Sequence, residues 1–372
     1  MRSRTLLAAL AGVALLVAAC SQDDGSEADT DAVEETEEEA EEEAEVEEAT
    51  GTAPPPFDQE GVRVAIVQNS GQGDYFQQYL NGTRQQAEAL GIELSVFDAQ
   101  GDNAAQAAQL DQAIASGVDG IIVRHGFPDT LCPGVNEAIA QGIDVIIYDV
   151  EIQQCAPDAI QTQQSDAVMA RLVLEQMLED IGPDQPVGYV NVLGIAPLDR
   201  RDVVWREFVE EHNWDVRFST GTFTNSTATD TAPMVDTALR ANPEIVAIYS
   251  PYDEFAKGVL SALEQNPSMS DVLVYAADIS NADIELMAAE GSPWVATGAT
   301  DPNAIGAAVV RTLALHMAGE LTETLVEFPP ILITQGFLRD AGVRNMDDLR
   351  AEEPELNIAG VSGADWIPSV TF

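Results

Sequence analysis

Positive charge is what this chain has least of. Lys257 is its single lysine, and sixteen Lys and Arg together face 64 carboxylates in 372 residues. A body so acidic does not hold nucleic acid or an anionic membrane surface through a basic patch. Histidine is equally scarce: His125, His212 and His316 show no metal-ligand spacing. No Gly-x-Ser-x-Gly elbow and no phosphate loop occurs either. Gly71-Gln72-Gly73, with Asp98 further on, echoes a dinucleotide fingerprint, but Phe76 stands where its third glycine is needed. The sequence therefore offers no catalytic set and asks for no cofactor. Cysteine is limited to Cys20, Cys132 and Cys155.

What is present begins at the N-terminus. Arg2 and Arg4 precede an apolar run of twelve residues from Leu6 to Val17, and Val17-Ala18-Ala19-Cys20 closes it. Twelve apolar residues are too few to span a hydrocarbon core of ~30 Å, so the order reads as a secretory signal. No later apolar run is long enough to cross a bilayer. The last four positions resemble the lipobox of bacterial lipoproteins, in which the cysteine is acylated and becomes the new N-terminus. An ordinary signal peptide cut near Ala19 is the alternative. Both place the protein outside the cytoplasm, and the first anchors it to the outer face of the membrane through Cys20.

A tether follows. Between Asp23 and Glu48 there are sixteen acidic residues and no basic one. Such a tract repels itself and has too little apolar surface to offset its ordering entropy, so it is expected to be disordered. Pro54-Pro55-Pro56 stiffens its end, and folding is expected to start near Val62. Of the formal net charge of −48, the tract carries −16 and the two leading arginines +2, which leaves −34 for residues 51–372. That acidity reads as a solvated surface.

About 310 residues exceed what one core supports, so two domains are expected. Short β-branched runs alternate with amphipathic stretches, the pattern of a parallel α/β sheet. Strands are predicted at Val62–Val67, Glu93–Phe97, Gly120–Val123 and Val145–Tyr148, with helices over Tyr75–Leu90, Ala104–Ser116 and Pro133–Gln141. Gly91, Gly117 and Gly142 stop those helices. A second series places strands at Val187–Val192, Val216–Ser219, Ile245–Tyr249 and Val272–Tyr275. Its helices fall near Val203–His212, Ala232–Ala241 and Glu254–Glu264. Val187 follows Val62 by 125 residues, Tyr249 follows Val123 by 126, and Asp278 follows Asp149 by 129. So constant an offset points to two similar doubly wound lobes. In such sheets ligands bind beyond the carboxyl ends of the strands.

Those ends carry suitable chemistry. Tyr75 and Phe76 open the helix after the first strand, Asp149 follows the fourth, and Asp278 holds the equivalent place in the second series. Arg201 lies in the turn after Val187–Val192, with Arg200 as its rival, and Tyr252 follows Ile245–Tyr249. Polyols and sugars need this mixture: their C–H faces lie on rings, while carboxylates and a guanidinium pair with hydroxyls. Each of these residues also has a plain structural reading, as a helix-start pair, a cap or a surface ion pair. Trp205, Trp214, Trp294 and Trp366 read as packing.

Taken together, Tyr75-Phe76 with Asn81-Gly82, Ile143 through Asp149, Arg201 four residues before Trp205, Tyr252 through Gly258, and Ala277-Asp278 resemble one family. It is the type I periplasmic sugar-binding proteins, the ribose-binding-protein-like receptors of ABC importers. The resemblance spans about 62–335. It implies an α/β fold of two doubly wound parallel-sheet lobes with a three-crossing hinge near 163–166, 298–302 and 328–331. The first lobe would then be 62–164 plus 301–330, and the second 165–300 plus 331–372, after a signal peptide at 1–19 and a lipidated acidic linker at 20–61. Carried over, Tyr75 and Phe76 match ring-stacking positions, and Asp149, Arg201 and Asp278 match polar contacts. Thr300 stands where the family has a cleft glutamine, Val150 where it often has arginine, and Tyr252 where it has asparagine. Arg124 or Glu151 would compensate for the missing donors. A small polyhydroxylated solute follows, captured by a monomer and passed to an ABC permease with its ATPase. A receptor feeding a membrane sensor, or an exported carbohydrate-active enzyme, keeps the same fold.

Once Cys20 is acylated, Cys132 and Cys155 remain, and two thiols in an exported protein favour a disulfide. Both follow strands on one edge of the first lobe.

Overall fold

The structure, a computed structural model, describes residues 45–372. The signal segment, Cys20 and the acidic tract up to residue 44 lie outside the described residues.

After β1 (Glu45–Glu47), the first lobe unrolls as β2 (Arg63–Gln68), α1 (Asp74–Ala89), β3 (Glu93–Asp98), α2 (Asn103–Ala115) and β4 (Gly120–Arg124). It continues through α3 (Pro128–Ala140), β5 (Asp144–Tyr148) and β6 (Ile160–Gln164). The second lobe starts with α4 (Asp166–Ile181), β7 (Pro186–Val190), α5 (Ala196–Glu211), β8 (Asp215–Thr220) and α6 (Thr227–Ala241). Then come β9 (Ala247–Ser250), α7 (Asp253–Glu264), β10 (Leu273–Ala277), α8 (Asn281–Ala288) and β11 (Trp294–Ala299). The chain returns to the first lobe for α9 (Pro302–Met317) and β12 (Leu325–Phe328), and to the second for β13 (Ile331–Thr334), α10 (Gln335–Ala341) and α11 (Met346–Glu352). β14 (Ser369–Thr371) ends it.

Each lobe holds one six-stranded sheet, ordered β12-β6-β5-β4-β2-β3 in the first and β13-β11-β10-β9-β7-β8 in the second. All pairings in these sheets are parallel except β11 with β13. Parallel strands covered on both faces must be apolar throughout, which is why Ala65-Ile66-Val67 and Ile121-Ile122-Val123 are fully buried. Separate cores fill the two faces of each sheet. In the first lobe α1 and α9 cross at glycines: a Cβ on Gly82 would overlap the Asn303 carbonyl, and one on Gly306 the Tyr79 carbonyl. Only glycine allows helices this close.

Cys132 on α3 and Cys155 in the loop after β5 form a disulfide, with Cα atoms 5.9 Å apart. Asn136 donates to both their carbonyls, at 2.8 and 2.9 Å. Closing a loop of this size removes roughly 3 kcal/mol of unfolded-chain entropy in the simplest model.

Three expectations need correction. The ordered chain begins before Val62, because β1 pairs antiparallel with β14, Val46 facing Val370. Thr50 and Gly51 then donate to the Asp365 carbonyl, and the Phe57 ring packs tilted against Trp366 at 5.3 Å. An acidic segment with no core of its own is held here by a partner strand, which composition does not reveal. The C-terminus also differs. Residues 331–352 build on the second lobe, but Ile358 and Trp366 pack on the first. There Arg311 donates to the Ile358 and Val361 carbonyls, and Gln86 to that of Pro368. Third, Arg201 is not in a turn. α5 starts at Ala196 with Pro197 in its first turn, seven residues earlier than the hydrophobic pattern alone marks.

Candidate ligand-binding cleft

The carboxyl ends of both sheets face one cleft, lined from the first lobe by Tyr75, Phe76, His125, Phe127 and Asp149 and from the second by Ile195, Leu198, Arg201, Phe223, Tyr252 and Asp278. Three of these residues share an unusual backbone. His125, Asp149 and Asp278 have φ of 53°, 55° and 75°. Each extends its sheet by one more N–H, to the carbonyls of Tyr148, Thr162 and Gly298, and then turns into the left-handed region. For residues with a Cβ that conformation costs roughly 1–3 kcal/mol, and it persists where the surroundings fix it. The result is that three polar side chains leave the strand ends pointing across the cleft.

Charge is concentrated at the hinge end. Arg201 is 1% exposed and wholly committed. Its Nε donates to Asp166 at 2.7 Å, Nη1 to the Pro251 carbonyl at 2.6 Å, and both Nη atoms to Asp278 at 3.1 Å. Two-point pairing of this kind fixes orientation as well as charge. Arg200 reaches across the lobes: Nε to Asp166 at 2.7 Å, Nη1 to Glu151 at 2.5 Å and Nη2 to Asp149 at 2.6 Å. So neither arginine is a rival for one role. Arg201 anchors Asp278 within the second lobe, and Arg200 ties that lobe to the first.

Asp149 keeps one oxygen for something else. Its Oδ2 is buried with no partner at hydrogen-bond geometry; His125 Nε2 lies 3.8 Å away and the Tyr148 hydroxyl also acts on the carboxylate. Burial, then the nearby Asp166 carboxylate, push the Asp149 pKa up to about 7 against the pull of Arg200 and Arg201. His125 is driven the other way. Burial, reinforced by Arg124, Arg200 and Arg201, holds its pKa well below the ordinary imidazole value, so it is neutral at pH 7.

The rings are positioned from behind. Arg124 lies 4.9 Å from the Phe76 ring centroid and 4.6 Å from that of Tyr79, and it donates to the Ser70 and Phe76 carbonyls. It therefore braces the loop after β2 and the first turn of α1, which carries Phe76, and does not line the cleft. Tyr75 shares a 2.7 Å hydroxyl contact with Tyr148, and His125 stands edge-on to Phe76 at 5.4 Å. Tyr252 occupies the N-cap position just before α7, while Asp253 turns away to Lys257 at 2.8 Å.

Six of the seven sequence-predicted positions, Tyr75, Phe76, Asp149, Arg201, Tyr252 and Asp278, thus meet in one cleft. Thr300 does not reach it. Its hydroxyl donates to Gln164 Oε1 at 2.6 Å, and Gln164, at the end of β6, is the residue that faces the cleft. Glu151 is engaged by Arg200 and supplies no ligand donor. Gln164, Phe127 and Phe223 carry no sequence motif that marks them as cleft residues, and His125 is read from sequence only as lacking metal-ligand spacing. A cue for Gln164 was there nonetheless: Gln161-Thr162-Gln163-Gln164 is a polar run whose every residue is buried in a central strand.

Comparison with known proteins gives the same picture. Residues 64–321 match the model of the periplasmic binding protein domain. The chain is similar to the ribose import binding protein of Bacillus subtilis, 24% identical over 277 residues that cover 74% of this chain and 87% of that one. It is also similar to the solute binding protein of a 5-methylthioribose transporter from Thermotoga lettingae, solved with 5-methylthioribose: 34% identity, TM-score 0.80, covering 83% of this chain and 98% of that one. A sugar ABC transporter protein from Yersinia enterocolitica gives 29% identity and a TM-score of 0.78, over 83% and 94% of the two chains. With two doubly wound lobes around a shared cleft and a family match over more than half its length, the chain belongs to the type I periplasmic binding proteins.

Proposed function

We propose that this protein is an extracytoplasmic receptor that closes its two lobes on a sugar or polyol and delivers it to an ABC permease. The observation that carries this reading is the buried Asp149 Oδ2, unpaired in a cleft walled by Tyr75, Phe76 and Tyr252 and faced by the Arg201–Asp278 pair. A ligand hydroxyl supplies the missing donor, and the rings take the C–H faces of its carbon skeleton. The relatives named for ribose import and 5-methylthioribose transport support a sugar of pentose size. Nothing is transformed in this reading, because the cleft groups bind and orient. The acylated Cys20 would hold a monomer at the outer face of the membrane, with the acidic tract as spacer.

Binding shifts an open population to the closed one that a permease recognises. The Arg200 bridges to Asp149 and Glu151 are contacts that exist only when the lobes are together. A thermal-shift panel of pentoses, polyols and 5-methylthioribose is the first test. A cognate sugar is expected to raise the melting temperature, and Asp149→Ala or Asp278→Ala to remove the shift. Hydrogen bonds to charged groups contribute about 1.5–3 kcal/mol each, so affinity should fall roughly ten- to hundredfold. If both variants bind as well as the parent, the cleft assignment is wrong.

A further inference from the structure

The cleft is chemically graded along the order of its strands. The chain crosses between lobes beside β6, β11, β12 and β13, so the strands next to them mark the hinge side. Polar groups cluster there: Gln164 after β6, Asp149 after β5 and Asp278 after β10. Moving outward to β4, β2, β9, β7 and β8, the lining becomes mainly apolar, with Phe127, Phe76, Tyr252, Ile195, Leu198 and Phe223 outnumbering the polar Asn69, Ser70, His125 and Arg201. Five of these six apolar-lining side chains, Phe76, Phe127, Ile195, Leu198 and Phe223, have no polar atom, and Tyr252 has only its hydroxyl. Beyond this collar the cavity turns polar again, with Asn103 and Asn225 at its mouth and Asn69, Ser70, Phe76, Phe127, Phe223 and Tyr252 shared between the two regions. Across that mouth Asn225 donates to the Gln100 carbonyl of the opposite lobe at 3.1 Å.

A fully hydroxylated sugar does not match such a collar. Hydroxyls pressed against Leu198 or Phe127 would surrender water and find no partner, whereas an apolar group there is favoured by the area it removes from water. We infer that the solute is a pentose or short polyol that carries an apolar substituent, an alkyl or alkylthio group, with its hydroxyls held at the hinge end and its substituent seated in the collar. The inference rests on the receptor reading above and narrows its ligand.

Calorimetric titration of the whole mature protein with a matched pair, ribose and ribose whose 5-hydroxyl is replaced by methylthio, tests it. The methylthio sugar is expected to bind at least tenfold tighter. Phe223→Ser, at a half-exposed position that the fold does not depend on, is expected to cut that ratio at least threefold. Ribose binding as tightly as its methylthio partner, or tighter, overturns the inference and leaves the receptor reading standing. Failure of both, and of the wider sugar panel, overturns the two together.

Discussion

Arg201→Met is expected to abolish sugar binding and to lower folding stability by about 3–5 kcal/mol, the cost of removing one partner from a buried ion pair. The guanidinium is the sole counter-charge hydrogen-bonded to Asp278 among the described residues, and it shares Asp166 with Arg200. Burial already holds the Asp278 carboxyl above its ordinary range, and Arg201 restrains that rise. Without it Asp278 must either take up a proton or remain charged in a dry site. The variant should therefore lose more stability at pH 8 than at pH 5, which urea unfolding at the two values measures. A variant that unfolds like the parent and still binds sugar would remove Arg201 from the site.

The second large effect is a dependence of affinity on pH. With its pKa near 7 in the closed cleft, Asp149 is about 1% ionised there at pH 5 and about nine-tenths ionised at pH 8. A hydroxyl that donates to Oδ2 requires the carboxylate. Affinity should rise roughly hundredfold across that range, with proton release on binding at the acid end. The charged neighbours do not mask it: burial holds the His125 pKa well below the ordinary imidazole value, and Arg200 and Arg201 stay protonated. Stability of the closed form runs the other way. The folded-state pKa lies above the unfolded value near 4, so the folded state binds the extra proton between pH 4 and 7. Asp149's contribution is then present at low pH and lost as pH rises through about 7. Asp149→Asn should flatten both profiles. An affinity unchanged from pH 5 to 8 would show that Asp149 accepts nothing from the ligand.

Much of this was legible in the residues. Apolar β-branched runs between helix-stopping glycines marked strands such as Arg63–Gln68 and Asp144–Tyr148 to within a residue or two. The offset between Asp149 and Asp278 found two residues that do the same thing in their lobes, down to the left-handed turn after the strand. Residues whose role depends on a distant partner were not legible. Arg200 and Arg201 are adjacent in sequence, and only helix geometry sends one across the lobes and the other beneath Asp278. His125 follows β4 as Asp149 follows β5, but no motif or spacing around it distinguishes it from a surface histidine. The final turn back to the first lobe rests on backbone carbonyls of Ile358 and Val361 meeting Arg311, which no side-chain pattern announces. Thr300 was one layer off, since β6 supplies the cleft amide from a strand the pattern had not marked.

Small-angle X-ray scattering of the mature protein, with and without the sugar that stabilises it most, bears most directly on the whole scheme. Two jaws that shut on a guest must give a smaller radius of gyration at saturation, and Asp149→Ala must not contract at the same sugar concentration. An envelope that stays the same when the sugar is bound would mean that this cleft does not work by closing.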